Sequence, residues 1–356
     1  MTEELSFVKA ICIFRHGARA PSKPALDTFA VNDKIKGAWT LESGEVFLDS
    51  LTETGKNQCI ELGKWVRNHL KEKHNALENV NADQLKWRSS AVERVKGSGE
   101  LFWKGFLNEN ESTVALREYE PDGSEEEGIP AADYIFRTWD SNNDYKAWTK
   151  ALFGSPVFVE KSKNASSDLD GIISTLGLKQ FEKYPKPVVL YGMTFAREMV
   201  DCERYYKPLS EKPMETLLSK EQLKIVDDLS LWCWNQRFFE HEFKDILAKR
   251  IVGEIKDDIT NGSEEFSLYS GHDYTLLVIL AGLGMPCYEK LLSFASYILI
   301  EVFDKTNANG EKERVFTLTL NFAPFENPEE HPVEEVNENL AKNLQQPGTD
   351  SIYWKC

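Results

Sequence analysis

The 356-residue sequence is poor in cysteine. Six are present, at positions 12, 59, 202, 233, 287 and 356, with no Cys-x-x-Cys pair and no dense framework. That spacing signals neither a zinc site nor a disulfide-stapled scaffold. Long apolar runs are missing too: none approaches the roughly 18 residues of a membrane span. The first residues, Met1-Thr2-Glu3-Glu4-Leu5-Ser6, lack the basic and apolar regions of a signal peptide. A cytoplasmic location is the expectation, with a secreted or vesicular one reserved for a chain whose signal has been cut away. Positive charge is scarce as well. Lys and Arg number 42 against 58 Asp and Glu, a net charge of −16. Such a surface repels nucleic acid and anionic membranes. A site for an anion would therefore be a local island of Arg or Lys. The sequence holds no internal repeat and no low-complexity tract.

Core material is plentiful. Hydrophobic residues make up 41% and charged residues 28%, with nine Trp and twenty Phe. That balance is globular and suits one large domain or two modest ones. Residues 7–14 (FVKAICIF) form a short branched apolar run that fits a buried strand. Residues 52–74 read as a helix, 84–88 as a short strand and 92–106 as a second helix. Residues 118–130 are acidic, contain Pro and Gly, and read as a solvated loop. From 131 to 250 the pattern is helical, with one or two amphipathic helices over 219–250. Strand signals return at 266–270, 297–303 and 315–322, with a helix over 273–283 between them. The tail after Pro324 is acidic and reads as lying across the surface. The pattern predicts an α/β fold: a mixed sheet core flanked by helices, built from residues 1–110 and 250–356, with a mostly helical cap inserted at 111–249.

Arg15-His16-Gly17-Ala18-Arg19-Ala20-Pro21 follows the first strand directly. Ligands of open α/β sheets bind beyond the carboxyl ends of strands. A phosphoryl group needs cationic donors around its oxygens and an in-line nucleophile. Arg15 and Arg19 supply permanently charged forks. His16 is a nucleophile that works at mild pH without a metal, and Gly17 permits close backbone approach. Ser270-Gly271-His272-Asp273 also ends a strand. Here His272 can donate to a phosphoryl oxygen, and Asp273, at a helix start, can protonate the bridging oxygen. Arg88, in Arg88-Ser89-Ser90, is a third candidate cation. Arg94 reads either as support for the site or as a structural ion pair.

These motifs, with Leu51-Thr52-x-x-Gly55 and Arg88-Ser89-Ser90-x-x-x-Arg94, stand in the order found in the histidine acid phosphatases, branch 2 of the histidine phosphatase superfamily. The chain resembles that family, which includes prostatic-type acid phosphatases and phytases, over most of its length and least over 115–250. The resemblance implies hydrolysis of small phosphate monoesters with no metal or other cofactor. It implies His16 as nucleophile, Arg15, Arg19, Arg88 and His272 as phosphate ligands, and Asp273 as proton donor. Pro21-Ser22-Lys23 is similar to the Pro-Thr-Lys of bacterial phytases, so Lys23 is a candidate for touching substrate, set against the plainer reading of a solvated charge. A family cysteine is replaced in Phe294-Ala295-Ser296-Tyr297, so the resemblance does not carry disulfides or secretion with it. A phytase-like inositol phosphate phosphatase is the alternative. A mutase-like phosphotransferase and a silent phospho-ligand binder are weaker ones. Oligomeric state stays open, a homodimer included.

The remaining histidines carry plainer readings. Glu240-His241-Glu242 is a solvated helix face without a second His at metal-ligand spacing, His69 and His74 lie on a polar helix end, and His331 lies in the acidic tail. Trp232-Cys233-Trp234 reads as cap core and Cys12 as a buried free thiol.

Overall fold

The computed structural model describes residues 4–30, 32–78, 81–108, 114–117, 129–206, 212–240, 242–285, 292–306, 310–321 and 334–336. The acidic loop over 118–128, His241, Cys287, His331 and Cys356 lie outside them. Six strands form one sheet in the order β2-β3-β1-β4-β5-β6. They are β1 (Glu4–Arg15), β2 (Leu85–Ser89), β3 (Phe266–Gly271), β4 (Tyr297–Thr306), β5 (Lys312–Asn321) and β6 (Glu334–Val336). Strands β2, β3 and β1 run parallel, and β4, β5 and β6 continue the sheet antiparallel. β6 places a short strand in the tail, where charge suggested only a surface segment.

The apolar run in β1 makes it the centre of the sheet. Successive strand residues point to opposite faces, so both of its faces must be covered. Ile11 and Ile13 pack with the helices Lys244–Asn261 and Asp273–Gly282. Ala10, Cys12 and Phe14 pack with the helices Glu53–His74 and Glu93–Phe106. Cys12, Cys59, Cys202 and Cys233 are buried free thiols. No strand interrupts the described residues between 129 and 261, which are helical and connecting segments. A third apolar cluster there, drawn from helices between Asn143 and Phe238, packs against Ala18, Ala20, Ala25, Leu26 and Phe29. The segment after β1 is therefore wedged between the sheet's carboxyl edge and this helical layer.

One buried charge has partners that the sequence pattern does not announce. Glu301 lies in the apolar run of β4, fully buried, and takes hydrogen bonds or ion pairs from His69, Lys73 and His74 on the Glu53–His74 helix. Burial would raise its carboxyl, but the bonds from both histidines and the charge of Lys73 outweigh it and hold the group at about 2. A carboxyl depressed below its ordinary value of about 4.3 contributes stability that is present above that value and lost as pH falls through the folded one. Glu301→Gln is expected to cost about 1–3 kcal/mol near neutral pH. The deficit should shrink between about pH 4 and about pH 2, where the native carboxyl protonates. Denaturant titrations of both proteins across that range check this.

Candidate active site

Three parallel strands end side by side, with Arg15 opposite Gly271 and Ser89 opposite Ser270. The residues that follow them, His16, Ser90 and His272, are thereby delivered to one place. The His16 N–H donates to the Gly271 carbonyl at 3.1 Å, and the Ser90 N–H to that of Ser270 at 3.1 Å. The turn after β1 is pinned to the start of the Glu53–His74 helix. Thr52 caps that helix by accepting from the Gly55 N–H at 3.0 Å, and its hydroxyl donates to the Ala18 carbonyl at 3.1 Å. A Cβ on Gly17 would stand 2.2 Å from the Gly55 carbonyl oxygen, and one on Gly55 would stand 2.0 Å from that of Ala18. Both positions therefore need glycine, which accounts for the Leu51-Thr52-x-x-Gly55 motif.

His16 is buried, and its Nδ1 lies 2.9 Å from the Gly17 carbonyl oxygen. A carbonyl only accepts, so Nδ1 carries the hydrogen and Nε2 keeps a lone pair. The Nε of Arg94 points at that Nε2 from 3.4 Å. Burial, then the charges of Arg94, Arg19 and Arg15, push the His16 ring well below its ordinary value. The ring is thus neutral and unprotonated at Nε2 well into the acid range.

Each surrounding arginine is held by one carboxylate. Arg15 pairs with Asp273 at 3.1 Å, Arg19 with Glu198 at 2.9 Å, and Arg94 with Asp49 at 3.3 Å. Arg15 also lies over the Phe294 ring, with its guanidinium 4.2 Å from the centroid. The buried Nε atoms of Arg15 and Arg19 have no acceptor among the described residues. Buried donors without acceptors are costly, and a bound oxyanion would satisfy them. Burial would raise the Glu198 carboxyl, but Arg19 and the Ser22 N–H hold it below its ordinary value. Burial and Arg19 together push Arg94 down to about 10. Such crowded positive charge favours an anion. Asp273 begins its helix, with Oδ1 accepting from the Tyr274 N–H at 2.8 Å. The His272 ring stands edge-on to His16, with centroids 5.6 Å apart.

The structure thus brings together Arg15, His16, Arg19, His272 and Asp273. It directs Arg88 elsewhere. Alternation along β2 turns this side chain toward the Lys244–Asn261 helix, where Nε meets Glu254 at 3.1 Å, and its terminal nitrogen donates to the Arg117 carbonyl at 3.1 Å. Arg94, in the first turn of the Glu93–Phe106 helix, takes the place expected for Arg88. Lys23 is exposed and pairs with Asp27 one turn along its own helix at 2.8 Å. Asp49 and Glu198 were missed. Asp49 adopts a left-handed φ of 53° just before the Leu51-Thr52 motif, but nothing in the sequence marks it, and Glu198 lies 179 residues from its partner.

The pairing of the two arginines sets a contrast. Arg94→Ala is expected to lower kcat about 10²–10³-fold, the usual loss for a donor aimed at the reacting centre. Arg88→Ala should leave kcat within about threefold of the parent and act on stability, as surface-side ion pairs do. Steady-state kinetics with thermal unfolding of both variants separate the two.

Comparison with known proteins bears on the family and the fold. The model of the histidine phosphatase superfamily (branch 2) matches residues 5–167. No curated protein matches the chain in sequence. Among solved structures, the phytase of Klebsiella sp ASR1 is similar with a TM-score of 0.62 at 14% identity, covering 89% of this chain and 83% of that one. The phytase of D. castellii gives 0.58 at 13% identity, covering 96% and 80%. The multiple inositol polyphosphate phosphatase of Bifidobacterium longum gives 0.57 at 13% identity, covering 89% and 86%. At such identities these likenesses establish a shared fold.

Proposed function

Because residues 5–167 match the model of the histidine phosphatase superfamily (branch 2) and the fold is shared with solved phytases, we propose that the chain is a member of that branch and hydrolyses phosphate monoesters through a phosphohistidine on His16. The observation that carries this reading is the lone pair of His16 Nε2, fixed by the Gly17 carbonyl within a ring of three arginines. The phosphoryl dianion takes the donors of Arg15, Arg19 and Arg94, and Nε2 attacks phosphorus in line. The P–O bond to the leaving group breaks, and Asp273 gives that oxygen its proton. Drawing Arg15 onto the phosphoryl group frees the Asp273 oxygen that Arg15 now holds, and that oxygen carries the proton. Water then attacks the phosphohistidine with Asp273 as base. Release of inorganic phosphate from p-nitrophenyl phosphate tests the activity. Transfer to an acceptor without release would favour a mutase-like reaction, and no turnover would favour a silent binder.

A second observation favours a substrate with more than one phosphate. Arg237 is buried, and its described side-chain partners are uncharged: the Tyr191 hydroxyl at 2.5 Å, a hydrogen bond with Tyr145, and the ring faces of Tyr145, Tyr191, Phe238 and Tyr274. Its Nε has no acceptor among the described residues. A buried guanidinium stays charged and calls for an anion. Tyr274 follows Asp273, and Tyr191 lies two turns before Glu198 on the Lys186–Tyr205 helix. These neighbours support a role for Arg237 on the leaving-group side of the pocket, where a phytase-like substrate would carry a further phosphate. Arg237→Met should raise KM about tenfold for an inositol polyphosphate and leave KM for p-nitrophenyl phosphate within about twofold. Equal effects on both substrates would remove this reading.

A further inference from the structure

Arg15 is held by more than its carboxylate. Its Nη1 donates to the Leu292 carbonyl at 2.6 Å, its Nη2 meets Asp273 at 3.1 Å, and its guanidinium carbon stands 4.2 Å from the centroid of the Phe294 ring. The Nε is left without an acceptor among the described residues. Two of the three restraints, the Leu292 carbonyl and the Phe294 ring, come from one short segment that leads into β4.

That segment is fastened to the end of β1. The Ala295 N–H donates to the His16 carbonyl at 3.1 Å, and the Arg15 N–H donates to the Ser296 carbonyl at 2.8 Å. The Ser296 hydroxyl donates back to the Ser293 carbonyl at 2.5 Å and closes a tight turn. Ala295 takes a left-handed φ of 59° within it, a conformation that residues with a side chain seldom adopt. The two backbone bonds to Arg15 and His16 keep the turn in this shape. It follows that Phe294 is registered against the reacting dipeptide itself.

Phe294 is fully buried, with the Tyr205 ring edge-on at 5.7 Å and the His16 ring at 5.8 Å. An aliphatic side chain would serve to fill such a space. A phenyl ring adds a face of negative potential, which attracts a cation most strongly where water is excluded. Arg15 is buried over that face.

We propose that Phe294 is a positioning residue for Arg15: with the Leu292 carbonyl it sets the guanidinium in place before substrate arrives, so that Nε, and the Nη2 that Asp273 now holds, are presented to the phosphoryl oxygens. The inference rests on the reading of this pocket as a phosphoryl site. A side chain fixed in advance has less freedom to lose on binding, and that gain appears as affinity for the anion.

The test drains the ring of its negative face and keeps its shape. Phe294→3,4,5-trifluorophenylalanine does this, and calorimetric titration with sulfate, which is never turned over, reads the result. Sulfate Kd is expected to rise about three- to tenfold, the scale of immobilising one long side chain. The same ring exchange in an Arg15→Met background, which keeps an apolar stem over the ring, should change Kd by less than about twofold, because the coupled partner is gone. In an Arg19→Lys background the factor seen in the parent should recur, since Arg19 does not stand over Phe294. A ring that only fills space would leave Kd at the parent value after fluorination, or shift it by the same factor with and without Arg15. Either result would overturn the proposal. Failure of the phosphatase reading would appear separately, as a parent protein that binds sulfate and releases no phosphate from p-nitrophenyl phosphate.

Discussion

His16→Ala is expected to lower kcat on the order of 10⁴–10⁶-fold for every phosphate monoester, the scale seen when a covalent nucleophile is removed. No other described side chain shares its position. Nε2 is the one ring nitrogen left with a lone pair, because Nδ1 is bound to the Gly17 carbonyl. Burial and the arginines keep that lone pair unprotonated in acid, so the proposed nucleophile would be ready where other histidines would be cationic. The loss should be alike for good and poor leaving groups, since both need the attack on phosphorus. Sulfate binding should survive in the variant, because Arg15, Arg19 and Arg94 remain. Steady-state kinetics on an aryl and an alkyl phosphate, with sulfate titration as the control for folding, check this.

Asp273→Asn is expected to act unequally. Protonating the bridging oxygen matters most for a poor leaving group such as a sugar or glycerol alkoxide. p-Nitrophenolate departs with little help. The variant should lose about 10²–10⁴-fold on alkyl phosphates, the range of general acid catalysis, and at most about tenfold on p-nitrophenyl phosphate. The geometry supports this, because Asp273 starts a helix with Oδ1 held by the Tyr274 N–H and Oδ2 turned to Arg15. Its backbone amide partner fixes the carboxyl plane, so the substitution changes chemistry more than position. Equal losses on both substrates, with phosphorylation of His16 limiting both, would remove Asp273 from the role of acid.

Much of the sheet was legible because its central strand is apolar on both faces and its neighbours end in Gly or Ser before charged motifs. β1 is longer than its apolar run, since Glu4 to Ser6 continue the pairing with β4, and pairing with a partner is invisible to local pattern. β6 was hidden by the charge of the tail. Within the site, contiguous motifs announced Arg15, His16, Arg19, His272 and Asp273. The arginines of the 88–94 stretch could not be ranked by sequence alone, because strand alternation and the turn between them decide which one faces His16. Glu198 comes from a remote helix, and only tertiary packing brings it to Arg19. Glu301 carried a readable signal, a lone acid inside YILIEVF, but its partners His69 and His74 read as a solvated helix end.

The account turns on a covalent bond between phosphorus and His16. Rapid acid-free quenching during turnover of labelled substrate, followed by peptide mapping, should place a base-stable, acid-labile phosphoryl group on the peptide holding residues 15–19, at up to about one per site when dephosphorylation is slow. Label on a serine or carboxylate, or none under conditions where a burst of leaving group is seen, would contradict it.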